Sequence, residues 1–127
     1  MLKARDVMTK EVITITPDKT LEEAIKVLVE NKISGLPVCD EKKRVLGMIS
    51  ERDILNFIFS GNVKMTTVRE AMNNDVISFP SDTDIDKISL TMGEKQIRRV
   101  PIIDGGTLVG IVSRRSIIRI VLDMPKS

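Results

Sequence analysis

The chain has 127 residues, 42% of them apolar, which suffices for a packed core in one compact domain or two very small ones and excludes global disorder. It contains no histidine and a single cysteine, Cys39, which removes imidazole acid–base chemistry, histidine metal ligation, disulfides within the chain and multi-cysteine zinc sites. A net charge of +2, three Phe and no Trp or Tyr leave little for a nucleic-acid surface or a base-stacking platform.

No apolar run reaches the ~18 residues needed to span a bilayer. Met1-Leu2-Lys3-Ala4-Arg5 is not followed by the apolar stretch of a secretory signal, so the expected location is the cytoplasm and no membrane partner is expected.

In chain order, Val12 to Ile15 is a short β-branched run stopped by Thr16-Pro17-Asp18 and predicts a strand. Thr20-Leu21-Glu22-Glu23 has capping-box spacing and predicts a helix start at Thr20. Leu21, Ala24, Ile25, Leu28 and Val29 then recur at the helical period. Leu36 to Cys39 and Val45 to Ile49 flank the polar turn Asp40 to Arg44 and predict a hairpin, and Ile54, Leu55, Ile58 and Phe59 mark a closing helix.

The same series then repeats. Arg5-Asp6-Val7-Met8 returns as Arg69-Glu70-Ala71-Met72, and Val12-Ile13-Thr14 as Val76-Ile77-Ser78. Asp18, Ile33, Pro37 and Asp40 return as Asp82, Ile97, Pro101 and Asp104, at an offset of 64 throughout. Between residues 5–40 and 69–104, 9 of 36 positions are identical, well above chance for unrelated segments. Asp84 takes the capping position of the second long helix, with Ile85, Ile88 and Met92 as its stripe. The second hairpin turns at Asp104-Gly105-Gly106, one residue shorter, so Gly47-Met48-Ile49-Ser50 matches Gly110-Ile111-Val112-Ser113 at offset 63. Ile117, Ile118, Val121 and Leu122 mark the last helix.

The prediction is an α/β fold of two repeats, 1–60 and 66–127, joined near Ser60-Gly61-Asn62-Val63-Lys64, each running strand-helix-strand-strand-helix. A unit of about 60 residues buries only ~60% of its unfolded surface and is marginal alone. The expected solution is sheet-to-sheet packing of the two copies with pseudo-two-fold symmetry.

This pattern resembles the CBS domain family. The resemblance rests on the Val-Met or Ala-Met step, the V-I-T-I-like strand, the apolar-Pro-apolar strand ending in Asp, and the Gly-h-h-Ser/Thr-x-x-Asp segment, in which h is apolar. Both repeats fit and together cover essentially the whole chain. The resemblance implies a tandem pair that forms homodimers and binds adenosine derivatives in clefts between its repeats, with an adenine nucleotide (AMP, ADP or ATP) as regulatory ligand.

The ribose-binding motif of the family is intact in the first repeat as Gly47-Met48-Ile49-Ser50-Glu51-Arg52-Asp53. A carboxylate can accept from two neighbouring hydroxyls, which suits ribose, and free N–H groups where a strand enters a helix favour phosphate. Ser50 and Asp53 also have the spacing of a plain capping box, and this segment alone does not separate the two readings. The resemblance implies an opposite wall from the second repeat, with Val76 and Ile77 at the adenine and Gln96-Ile97-Arg98-Arg99-Val100-Pro101 at the phosphate. Arginine pairs with phosphate oxygens in planar, bidentate geometry. In this reading the ligand-binding residues are Met48, Ser50, Arg52, Asp53, Val76, Ile77, Ile97, Arg98, Arg99 and Pro101.

The pseudo-equivalent cleft departs from the family pattern. Ser116 stands where the ribose aspartate belongs, and Ile33-Ser34-Gly35-Leu36-Pro37 offers no cation, so Val12, Ile13, Gly35, Ser113 and Ser116 outline a weaker second site.

The functional expectation is a non-enzymatic module that binds an adenine nucleotide and signals to a partner protein. No nucleophile–base pair and no metal constellation is visible, so neither catalytic nor metal-binding residues are expected. Phe57, Ile58 and Phe59 offer an apolar face for a homodimer. The alternative is a nucleic-acid or protein-interaction module with a vestigial cleft, using Lys42-Lys43-Arg44 and Arg114-Arg115. The small net charge and the scarcity of aromatics stand against it.

Overall fold

The computed structural model describes residues 1–59 and 62–123. Ser60 and Gly61 of the expected junction, and 124–127 of the second repeat, lie outside the described residues, as does the side chain of Val121. The elements in order are α1 (Ala4–Val7), α2 (Leu21–Asn31), β1 (Gly35–Cys39), β2 (Val45–Ser50), α3 (Glu51–Ile58), α4 (Val68–Ala71), α5 (Ile85–Lys95), β3 (Arg99–Asp104), β4 (Thr107–Ser113) and α6 (Arg114–Asp123). This is the mixed α/β class, with one antiparallel strand pair in each repeat.

The helix starts follow from local chemistry. Thr20 caps α2 by accepting the Glu23 N–H on its hydroxyl at 3.2 Å. Leu21, Ala24 and Leu28 are buried, but Val29, on the edge of the same stripe, is 71% exposed. Asp84 occupies the cap position of α5 without a side-chain cap, because its carboxylate pairs with Lys3 instead. The Lys3 ammonium holds Asp84 below the usual carboxylate range. Both long helices end on a left-handed residue that is not glycine, Lys32 at φ 53° and Gln96 at φ 54°. At each of them the next N–H turns back into the last turn, Ile33 to Leu28 O and Ile97 to Met92 O.

Both hairpins form as expected. Gly105 and Gly106 have φ of 56° and 79°, the conformation a two-residue turn demands when its twist matches that of the strands. In the longer first turn Asp40 accepts from the N–H groups of Lys42 and Arg44, each at 2.9 Å.

The leading strands are the main departure. Val12–Thr14 and Val76–Ser78 lie outside any strand, and only Ile15 and Phe79 bridge to the sheets, in parallel to Val38 and Ile102. Two causes act together. Pro17 and Pro80 follow closely and end the pairing. The chain also passes between compact units here: one unit comprises Ile13–Val76, the other Met1–Val12 with Ile77–Ser127.

That division means the head of each repeat packs on the body of the other. In the unit Ile13–Val76, Val68 and Arg69 donate to the carbonyls of Lys19 and Pro17, and Asn73 exchanges main-chain bonds with Met48 at 2.8 and 3.0 Å. In the other unit Ala4 and Arg5 donate to Thr83 and Ser81, and Thr9 exchanges with Ile111 at 2.9 and 3.0 Å. The two dockings are equivalent under the repeat. Each short helix adds a fully buried residue to its host core. Val68 joins Leu21, Leu28, Leu36, Val38 and Ile49, and Ala4 joins Ile88, Val100, Ile102 and Val112. Burying a side chain of valine size contributes ~1.5–3 kcal/mol.

The closest approach is a methionine on a glycine. A Cβ built on Gly47 would stand 2.8 Å from Met72 Sδ and 2.9 Å from the Asn73 carbonyl oxygen, and one on Gly110 would collide with the Met8 side chain. Gly93, within α5, has open space around it. Gly47→Ala is therefore expected to destabilise by ~1–3 kcal/mol, because a main-chain oxygen has to yield. Gly93→Ala is expected to stabilise by ~0.4–1 kcal/mol. Urea unfolding of both variants checks the opposite signs.

Candidate functional site

The two motif segments sit where the second strand of each hairpin runs directly into a helix. In the first repeat β2 ends at Ser50, which caps α3 from extended backbone (φ −128°, ψ 167°). Its hydroxyl accepts the Asp53 N–H at 3.4 Å, and Asp53 Oδ2 accepts the Ser50 N–H at 2.9 Å and the Ser50 hydroxyl at 3.0 Å. The capping box is therefore formed. Among the described residues, the hydrogen bonds of the Asp53 carboxylate all converge on Oδ2, which leaves Oδ1 to accept from elsewhere. The cap fixes the carboxylate without exhausting it.

Gly35 pairs with Ser50 across the ladder, and Ser34 O accepts the Glu51 N–H at 2.9 Å. The structure thus brings Gly35, expected with the second site, beside Ser50. Met48 is half-buried, opposite Pro37 on one side and bonded to Asn73 on the other. Arg52 is exposed on the first turn of α3. Val76 is half-buried in irregular chain, just after the turn in which Asn73 Oδ1 accepts the Asp75 N–H.

In the second repeat the carboxylate is missing and the cap is neutral. Ser113 Oγ accepts the Ser116 N–H at 3.1 Å, and the two hydroxyls lie 2.8 Å apart. Arg99, half-buried, pairs with Ser113 in the ladder, and Arg98 O accepts the Arg114 N–H at 2.7 Å. Arg98 and Arg99 therefore share one end of β3–β4 with Arg114 and Arg115, which the sequence pattern did not assign to this end. Ile97 closes α5 and packs half-buried on the second core, as does Ile77. Pro101 is buried opposite Ile111, and its carbonyl accepts from Phe79. Val12 is half-buried and Ile13 is 39% exposed.

Other candidate groups are committed or inert. Arg44 Nε donates to Asp40 Oδ2 at 2.7 Å, so the Lys42-Lys43-Arg44 turn carries less free charge than its sequence suggests. Main-chain N–H donation from Arg44 is the largest cause holding Asp40 below the usual carboxylate range. Burial pushes the Cys39 thiol up to about 11, so it stays protonated and is a poor nucleophile at neutral pH. Among the described residues, no group of three or more acidic, cysteine or histidine side chains could hold a metal, and no helix is long and apolar enough to cross a membrane.

The caps make a paired prediction. Ser50→Ala removes the hydroxyl from a formed box and should cost about 1 kcal/mol. Ser116→Asp places a carboxylate in the first turn of α6 and should stabilise by ~0.3–1 kcal/mol. Thermal melts of the two variants should move in opposite directions.

Comparison with known proteins bears on both repeats. The family model of the CBS domain matches residues 4–60 and 68–123. An inosine-5'-monophosphate dehydrogenase of Methanocaldococcus jannaschii is 35% identical over 118 residues, which are 92% of this chain and 23% of the dehydrogenase. The chain therefore spans about a quarter of that relative. The CBS domain-containing protein YhcV of Bacillus subtilis is 34% identical over 114 residues, 89% of this chain and 81% of YhcV. Among solved structures, the CBS domain pair of protein MJ0100, in complex with 5'-methylthioadenosine and S-adenosyl-L-methionine, aligns with a TM-score of 0.87 at 28% identity. That alignment covers 97% of this chain and 98% of the other. With both repeats matched by the same model and the architecture shared, the chain belongs to the CBS domain family and is a CBS domain pair.

Proposed function

We propose that the protein is a non-catalytic regulatory module that binds an adenine nucleotide (AMP, ADP or ATP) and signals its presence to a partner protein. The observation that carries the reading is the Asp53 carboxylate. It is held in place by Ser50 through Oδ2, and its Oδ1 is not engaged among the described residues. Such a group is preorganised to accept from the 2′ and 3′ hydroxyls of a ribose without moving. The adenosine compounds bound by the MJ0100 domain pair support the ligand class.

In this proposal Ser50 and Asp53 hold the ribose, with Met48 and Arg52 beside them. Val76 and Ile77 line the adenine, and Arg98 and Arg99, carried between Ile97 and Pro101, meet the phosphate. Val12, Ile13, Gly35, Ser113 and Ser116 form the weaker second site, which lacks a carboxylate. Signalling follows from differential affinity: a nucleotide shifts a partner's equilibrium only as far as it binds the two states unequally. The proposal places the protein in the cytoplasm.

An adenine ribonucleotide should raise the melting temperature, with a stabilisation of about 2.7 kcal/mol at a hundredfold excess over Kd. Asp53→Ala should weaken a ribonucleotide by about 10- to 100-fold, the equivalent of losing a hydrogen bond to a charged group, and weaken its 2′-deoxy analogue less. If Asp53 serves only as a cap, the variant loses stability and the sugar makes no difference. Differential scanning fluorimetry and calorimetric titration separate the two cases.

The proposed assembly is a homodimer. Leu55 and Phe59 of the first repeat, and Ile118 and Leu122 at the matching positions of the second, are 60%, 95%, 60% and 84% exposed. Ile58 is 40% exposed as well, whereas Phe57 turns inward against the first core. Apolar side chains exposed at the same places on both closing helices fit a self-complementary interface. Light scattering should return twice the chain mass, and Phe59→Glu with Leu122→Glu should return the monomer.

A further inference from the structure

We infer that Met8 and Met72 are sites of reversible oxidation, and that their conversion to methionine sulfoxide by a hydroperoxide releases the head of each repeat from the strand it packs on. The inference goes beyond the proposed function and stands whether or not a nucleotide binds.

Each contact lies within one compact unit. Met72 meets Gly47 in the unit Ile13–Val76, and Met8 meets Gly110 in the unit of Met1–Val12 with Ile77–Ser127. The two methionines hold the same place in the repeat, ending α4 and α1 in extended backbone with ψ of 154° and 149°. A Cβ on Gly47 would stand 2.8 Å from Met72 Sδ and 3.1 Å from its Cγ, so the sulfur itself covers the glycine. The Met8 sulfur covers Gly110 in the same way. Both side chains are half-buried, within reach of a small dissolved oxidant.

Oxidation transfers one oxygen atom from the peroxide to the sulfur. The thioether gives up an electron pair, the O–O bond breaks, an S–O bond forms, and water or an alcohol leaves. The product is polar and chiral where the thioether was apolar and flexible. Its oxygen is a strong acceptor that needs a donor or water. Beside each methionine the main-chain donors are taken: the N–H groups of Asn73 and Met48 bond to each other's carbonyls, as do those of Thr9 and Ile111. The new oxygen therefore competes with these bonds or carries the sulfur out to water. Either path uncovers the glycine and weakens the docking of the head.

The rest of the chain concentrates the effect on this pair. The sequence has no His, Trp or Tyr to consume the oxidant, and burial keeps the Cys39 thiol protonated and slow to react. Met1 and Met65 are 88% and 75% exposed, so a sulfoxide on either stays in water and costs the fold little. Met92 is buried in the second core, away from a dissolved oxidant. Met48 is half-buried as well, and peptide mapping reports it separately.

Treating the full chain with dilute hydrogen peroxide, mapping sulfoxides by mass spectrometry and following amide hydrogen exchange tests the inference. Met8 and Met72 should each gain one oxygen after Met1 and Met65. The amides of Met48, Asn73, Thr9 and Ile111 should then exchange about tenfold faster or more. A thiol-driven methionine sulfoxide reductase should restore their protection. Met8→Leu with Met72→Leu, which nearly keeps side-chain volume, should retain its protection in peroxide. Should that variant fold poorly, Met1→Leu with Met65→Leu decides instead, and it should still lose protection on oxidation. Sulfoxides at Met8 and Met72 with unchanged exchange would overturn the inference. So would an equal loss of protection in the Met8→Leu and Met72→Leu variant, or sulfoxides confined to Met1 and Met65. None of these outcomes bears on nucleotide binding, which titration reads separately.

Discussion

The contact between a methionine and a glycine, made once in each compact unit, is the constraint on which the rest of the structure depends. Met72 lies on Gly47, and Met8 on Gly110, so closely that neither glycine has room for a Cβ. Each contact joins the head of one repeat to the motif strand of the other. The bridge between Asn73 and Met48, and its counterpart between Thr9 and Ile111, close the seam with main-chain bonds on the next residues. The Val-Met or Ala-Met step and the motif glycine, far apart in sequence, are two halves of one packing interaction. A glycine that reads as part of a ligand motif therefore has a structural reason to be there that involves no ligand.

The seam also bears on function. Gly47 begins the segment that ends in the Ser50–Asp53 cap, so the docked head fixes the strand that delivers the proposed ribose acceptor. The unit boundaries fall between Val12 and Ile13 and between Val76 and Ile77, the residues proposed to line the ligand. A nucleotide that engages Val76 and Ile77 would act on chain that carries few ladder hydrogen bonds and joins one unit to the next. Such sparsely bonded segments belong to the low-stability end of a fold, where ligands shift populations most readily.

Much of the fold was legible because it is written in local patterns. Thr20 and Glu23 announce a helix start, Gly105-Gly106 a tight turn, and the repeat offset shows that the fold is built twice. What was not legible depends on long-range partners. Val12–Thr14 reads as a strand by composition, yet the chain leaves one unit for the other there, and only Ile15 reaches a sheet. The left-handed helix ends at Lys32 and Gln96 carry no glycine to betray them. Asp84 has the place and chemistry of a cap, but Lys3 claims its carboxylate from 81 residues away. At the site, Ser50 and Asp53 were visible as a motif, and the choice between capping and ligand binding was not. The structure shows the cap formed on Oδ2, with Oδ1 unengaged among the described residues, and ligand binding there is the proposal. The joining of Arg114 and Arg115 to Arg98 and Arg99 needs the ladder register, which no single segment encodes.

The central claim is that Asp53 of this CBS domain pair accepts from the ribose of an adenine nucleotide while Ser50 holds it in place. A crystal structure of the protein grown with ATP tests it most directly. The account predicts the ribose hydroxyls on Asp53 Oδ1, the Ser50 cap unbroken on Oδ2, and the phosphates on Arg98 and Arg99. A nucleotide whose ribose instead rests on Ser113 and Ser116, with Asp53 serving only its helix, would contradict it.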